Sequence, residues 1–137
     1  MEWKLEVVTI PVSDLDRARD FYAEQLGFNV DIDHQVSDDM RFLQLTPPGS
    51  GCSIHLGPGT ERLKPGSLEG LFLVVSDVTA ARDQLVKQGV DVGEILVFDA
   101  GEYRPARDGE SLDLVGVVFF SDPDGNRWMV QQIPPRD

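Results

Sequence analysis

The chain has 137 residues, 41% hydrophobic and 26% charged, which fits one soluble globular domain large enough to bury a core. Its 24 acids against 12 bases leave a net charge of −12, which excludes a phosphate-backbone partner and so argues against nucleic acid. No apolar run approaches the ~20 residues of a membrane span. A basic-then-apolar leader is absent from MEWKLEVV, and the single cysteine, Cys52, suits a reducing compartment, so a cytoplasmic location is expected.

Leu5 to Val12 reads as a strand rich in β-branched residues, and Pro11 places its end there or on an unpaired edge. Ser13 or Asp14 caps a helix whose apolar stripe is Leu15, Ala18, Phe21, Tyr22 and Leu26, with Gly27 closing it. Phe21 and Tyr22 are read as core. Phe28 to Val36 follows as a strand, Asp38-Asp39 as a turn and Met40 to Thr46 as a strand. Pro47 to Gly51 breaks the pattern before a short strand, Cys52 to Leu56.

After a Gly/Pro-rich connector the grammar returns. Leu71 to Ser76 is a strand, Asp77 to Gln88 a helix and Val92 to Val97 a strand. At an offset of 63 residues, Val12, Ser13, Asp14, Ala18, Arg19 and Asp20 meet Val75, Ser76, Asp77, Ala81, Arg82 and Asp83. Two related modules within one domain are therefore expected: module one over about residues 4–57, a connector over 58–68 and module two over about 69–133. Phe98 to Asp113 lacks periodicity and reads as a long loop in which Tyr103 and Arg104 either cover a ligand or stay solvated. Leu114 to Phe120 is a buried strand, and Asp122-Pro123-Asp124-Gly125-Asn126 is a tight turn whose aspartates bond their own backbone. Arg127 to Ile133 is the last strand, and residues 134–137 are a tail.

VSDLDRARDFYAEQLGF, VVSDVTAARDQL and FSDPDGNRWMVQ, in that order, resemble the glyoxalase/bleomycin-resistance/extradiol-dioxygenase family, the vicinal oxygen chelate superfamily. The resemblance spans nearly the whole chain. It implies an α+β fold in which two βαβββ modules form an incomplete barrel of mixed sheets around a pocket, often within a homodimer. In the family's metal enzymes, His and Glu ligands come from the first and last strand of each module. Those four slots fall here on Val7, His55, Gly70 and Met129. Three of them lack a side chain able to bind a hard divalent cation, so no metal and no other cofactor is expected.

Strand alternation then nominates the pocket side chains. Thr9 shares a face with Val7, Ser53 with His55, Phe72 with Gly70, and Arg127 and Gln131 with Met129. The expected substrate-binding set is Thr9, Gln44, His55, Phe72, Tyr103, Met129 and Gln131. His55 is the one nominated acid–base residue, although a lone strand histidine also serves as a hydrogen-bonded structural residue. The resulting expectation is a homodimeric protein that binds or sequesters a small organic molecule, cationic or aromatic. The alternative is a lyase, isomerase or dioxygenase of the same superfamily that uses His55 as acid or base or builds an atypical metal site.

Overall fold

The computed structural model describes residues 1–135; the expected tail at Arg136 and Asp137 lies outside the described residues. The chain forms two compact units, one of residues 1–68 with 122–126, the other of residues 69–121 with the strand that begins at Arg127.

In the first unit β1 (Val7–Val12) is an edge strand, in the order β1, β4 (Ser53–Pro58), β3 (Met40–Thr46), β2 (Asn29–Ser37). Edge placement is what lets Pro11 sit inside the strand, opposite Gly57. Asp14 caps α1 (Leu15–Arg19) by accepting from the Arg17 N–H at 3.1 Å. The helix then widens into a π-helical stretch, Asp20–Gln25, whose turns close with Leu26 N–H on the Phe21 carbonyl at 3.0 Å. Sequence reading gave one uninterrupted helix. A π turn keeps the same apolar residues inward, with Phe21 and Tyr22 buried and their rings 5.2 Å apart. They pack with Ile10, Leu43, Leu45, Ile54 and Leu56 on one face of the sheet.

The turn Asp122–Asn126 belongs to this unit through buried hydrogen bonds. The Tyr22 hydroxyl donates to Asp122 Oδ2 at 2.8 Å. Asn126 Nδ2 donates to the same oxygen at 2.7 Å and to the Pro11 carbonyl at 2.8 Å. Asn126 Oδ1 in turn accepts from the Leu68 N–H at 3.1 Å. Asp122 Oδ1 accepts the backbone N–H groups of Asp124 and Asn126, the structural role expected of this turn.

The second unit has a five-stranded sheet in the order β5 (Leu71–Val75), β9 (Arg127–Gln132), β8 (Gly116–Ser121), β6 (Leu96–Asp99), β7 (Glu102–Pro105). One face packs on α2 (Val78–Lys87), capped by Asp77, and buries Val118, Phe120, Trp128 and Val130. Phe120 and Trp128 stack with their planes 3° apart.

Three expectations for this unit are corrected. The segment 98–113 is not an open loop, because β6 and β7 form a hairpin. Ala100 at φ 52° and Gly101 at φ 86° supply two consecutive left-handed residues, the signature of a tight two-residue hairpin turn. The strand expected over 92–97 begins only at Leu96, with Val92 making one isolated bridge to Phe120. The strand expected from Leu114 begins at Gly116, since Leu114 at φ 71° departs from extended geometry, although its N–H still donates to the Gln132 carbonyl at 2.9 Å. The second module therefore carries one strand more than a βαβββ plan.

Candidate functional site

In each unit one sheet face is covered by a helix and the other carries the nominated residues. In the first unit the register sets Thr9 beside His55, and His55 beside Gln44, in one row across β1, β4 and β3. In the second unit Phe72, Met129 and Phe119 form the corresponding row across β5, β9 and β8. The repeat legible in the sequence is thus a repeat in register. Its first copy is polar and its second apolar.

His55 is half-buried, and its ring lies against Phe42 with centroids 4.8 Å apart. Gly57 makes room for it, since a Cβ there would stand 3.3 Å from Thr9 Cγ2 and 3.4 Å from the His55 ring. Burial holds the His55 pKa below its ordinary 6.5, so the imidazole is neutral at pH 7. Acidification therefore costs stability. The unfolded chain takes up the proton near pH 6.5 while the folded chain resists it, so the contribution is complete above 6.5 and is lost as pH falls through the lower folded value. The urea midpoint is expected to fall between pH 7.5 and pH 5.5, and to fall less in His55→Gln; equal falls in both proteins would remove the burial argument.

The second unit holds a cleft of about 550 Å³, lined chiefly by Phe72, Leu96, Tyr103, Phe119, Arg127 and Met129, with Glu69 and Gly70 also at its wall. Tyr103 meets Phe119 edge-on at 5.3 Å, and its hydroxyl approaches Met129 Sδ at 3.8 Å. The Arg127 guanidinium lies over the Phe119 ring, 4.5 Å from its centroid. Phe72 leaves 63% of its surface open to solvent, although it is a large apolar side chain.

Phe72, Tyr103 and Met129 are thus brought together in this cleft, while Thr9, Gln44 and His55 are brought together on the first sheet. Gln131 lies two residues along β9 from Met129, and its amide donates to the Leu114 carbonyl at 2.8 Å. Arg104 is tied to Asp99 and Glu110, and its guanidinium holds the Glu110 carboxyl down to about 2. The nominated set omitted Phe119, the centre of the aromatic floor. Only the β8–β9 register, which periodicity does not reveal, places it beside Met129.

The family's metal slots do not fit a divalent cation. Val7 and Met129 offer no hard donor, and Gly70 has no side chain at all. Among the described residues no three or more His, Cys, Asp or Glu side chains gather into a metal-binding group. None of the described helices is long and apolar enough to cross a membrane.

Two capped strand–helix modules, each with one sheet face under a helix and a cross-strand row of nominated residues on the other, define a duplicated α+β scaffold. The chain belongs to the Glyoxalase/Bleomycin resistance protein/Dioxygenase superfamily, whose sequence model matches residues 4–130. It is similar to TnmS3, an antibiotic binding protein from Streptomyces sp. CB03234, at 32% identity and a TM-score of 0.74, over 96% of this chain and 97% of that one. A superfamily member from Sphaerobacter thermophilus DSM 20745 is 29% identical with a TM-score of 0.72, over 96% and 98%. YetH of Bacillus subtilis (strain 168) is 22% identical over 135 residues, which is 94% of this chain and 98% of YetH.

Proposed function

We propose that this protein binds a small organic molecule with an aromatic portion, without a metal, and acts by sequestering it. The observation that carries the reading is the second unit's cleft, where an exposed Phe72, an edge-on Tyr103–Phe119 pair and Met129 surround a volume suited to a small ligand. Its likeness to an antibiotic binding protein at 32% identity supports the same class of activity. On the first sheet, taken by itself, His55 is a neutral hydrogen-bonding group beside Thr9 and Gln44. No carboxylate bonds to its ring among the described residues, so the arrangement favours binding over general-base chemistry. The reading extends to a homodimer, supported by the 40–41% exposure of Val7, Ile32 and Phe42 on the first unit, and to a cytoplasmic location, in keeping with the single free cysteine.

The test is elemental analysis of protein purified without chelator and then exposed to Zn, Ni, Mn and Fe(II), followed by a thermal-shift screen of small aromatic metabolites and antibiotics. Metal-free protein whose unfolding temperature rises saturably with an unchanged aromatic ligand is the expected result. Stoichiometric metal lost in His55→Ala, or turnover of the ligand, would replace this reading with the enzymatic one.

A further inference from the structure

Resting on that reading of the cleft, we propose that its ligand is a planar aromatic acid, with the Arg127 guanidinium as the counterion of the carboxylate. Net charge alone points the other way, since −12 favours cations. But charges spread over a surface are screened beyond about 8 Å at physiological salt, so a group at contact distance decides sign preference inside a cleft.

Arg127 is that group. Five other side chains, Lys4, Arg17, Arg19, Arg41 and Arg104, are each neutralised by a carboxylate within 4.0 Å. Arg127 has no such partner among the described residues; Arg62, Lys64, Arg82, Lys87 and Arg107 have none either, but Arg127 is the base that lines this cleft, and it rests against the face of Phe119. Contact with an aromatic face restrains the guanidinium while its in-plane N–H groups remain free to bond, the arrangement that pairs bidentately with a carboxylate.

The same ring gives the ligand its shape. An aromatic body entering beside Phe72 meets Tyr103, Phe119 and Met129 and brings an attached acid towards Arg127. Glu69 also lines this cleft and contributes the opposite sign. It therefore weakens an acid and strengthens an amine, which gives the experiment a second handle.

The probes are 9-anthracenecarboxylate, 9-anthracenemethanol and 9-anthracenemethylammonium, titrated calorimetrically into the full chain at 0.15 M salt. The carboxylate is expected to bind at least tenfold more tightly than the alcohol or the amine. Arg127→Gln should abolish that preference, Arg127→Lys should restore part of it, and Glu69→Gln should tighten the carboxylate. Thermal unfolding of each variant confirms that the fold is retained. Saturable binding of all three probes with no charge preference, or a preference unchanged in Arg127→Gln, overturns this inference and leaves the aromatic cleft standing. Failure of all three to bind overturns the inference together with the reading beneath it.

Discussion

Asn126→Ala is expected to lower unfolding stability by about 3 kcal/mol, with the unfolding temperature falling by about 10 °C. Few single side chains in the molecule serve as many partners. The Asn126 amide is fully buried, donates to Asp122 and to the Pro11 carbonyl, and accepts from the Leu68 N–H. Alanine removes all three bonds at once, stranding the half-buried Leu68 N–H and leaving the Pro11 carbonyl only a long 3.4 Å bond from the Gly66 N–H. Each stranded group costs about 1–3 kcal/mol, whereas a typical hydrogen bond contributes only about 1.

Little rearrangement can relieve that loss, because the connector already lies tight against the turn. A Cβ on Gly66, itself at φ 79°, would stand 2.0 Å from the Asp124 carbonyl oxygen. Ser13 adds a further clamp, donating its hydroxyl to Asp124 Oδ1 at 2.5 Å and its N–H to Oδ2 at 3.1 Å. Urea unfolding of Asn126→Ala beside Tyr22→Phe measures the effect. Tyr22→Phe loses the bond from Tyr22 to Asp122 and is expected to cost about 1–2 kcal/mol. A loss below 1 kcal/mol for Asn126→Ala would mean that water replaces the amide and that the turn is not held as described.

The module plan was legible because its signals are local. Asp14 and Asp77, which fall together under the 63-residue offset, each cap a helix by accepting the N–H three residues on, at 3.1 and 3.0 Å. The family resemblance followed from the same stretches, and the match over residues 4–130 bears it out. What stayed hidden depends on conformation or pairing. Asp-Ala-Gly-Glu lacks the Asn-Gly or Asp-Gly pair that announces a hairpin, yet Ala100 takes the left-handed region and the hairpin forms. The π turns were invisible because Phe21, Tyr22 and Leu26 satisfy a helical stripe whether each turn holds four residues or five. At the candidate site, alternation along single strands grouped Thr9 with Val7 and Phe72 with Gly70. Which strand lies next to which is a long-range fact, and so Phe119 was missed.

Phe72→Ala is expected to weaken binding of 9-anthracenecarboxylate by about 10- to 100-fold while changing stability by no more than about 0.5 kcal/mol. The separation follows from where the ring stands. Phe72 is paired in β5 by its backbone, so the strand forms without its side chain. With 63% of its surface open, the ring takes little part in the core, and truncation there creates no cavity. For a ligand the balance reverses. Stacking a planar system on an aromatic side chain contributes about 1–3 kcal/mol, and a ring already standing in the cleft needs little further ordering to provide it. Met129 makes the control, because it occupies the adjacent register position but only 7% of its surface is exposed. Met129→Ala is expected to lose both binding and about 2–3 kcal/mol of stability. If Phe72→Ala instead destabilises the chain as Met129→Ala does, Phe72 is core and the cleft is a packing defect. If it leaves both stability and binding untouched, the aromatic molecule is held elsewhere, and the row of Thr9, His55 and Gln44 on the first sheet becomes the place to look.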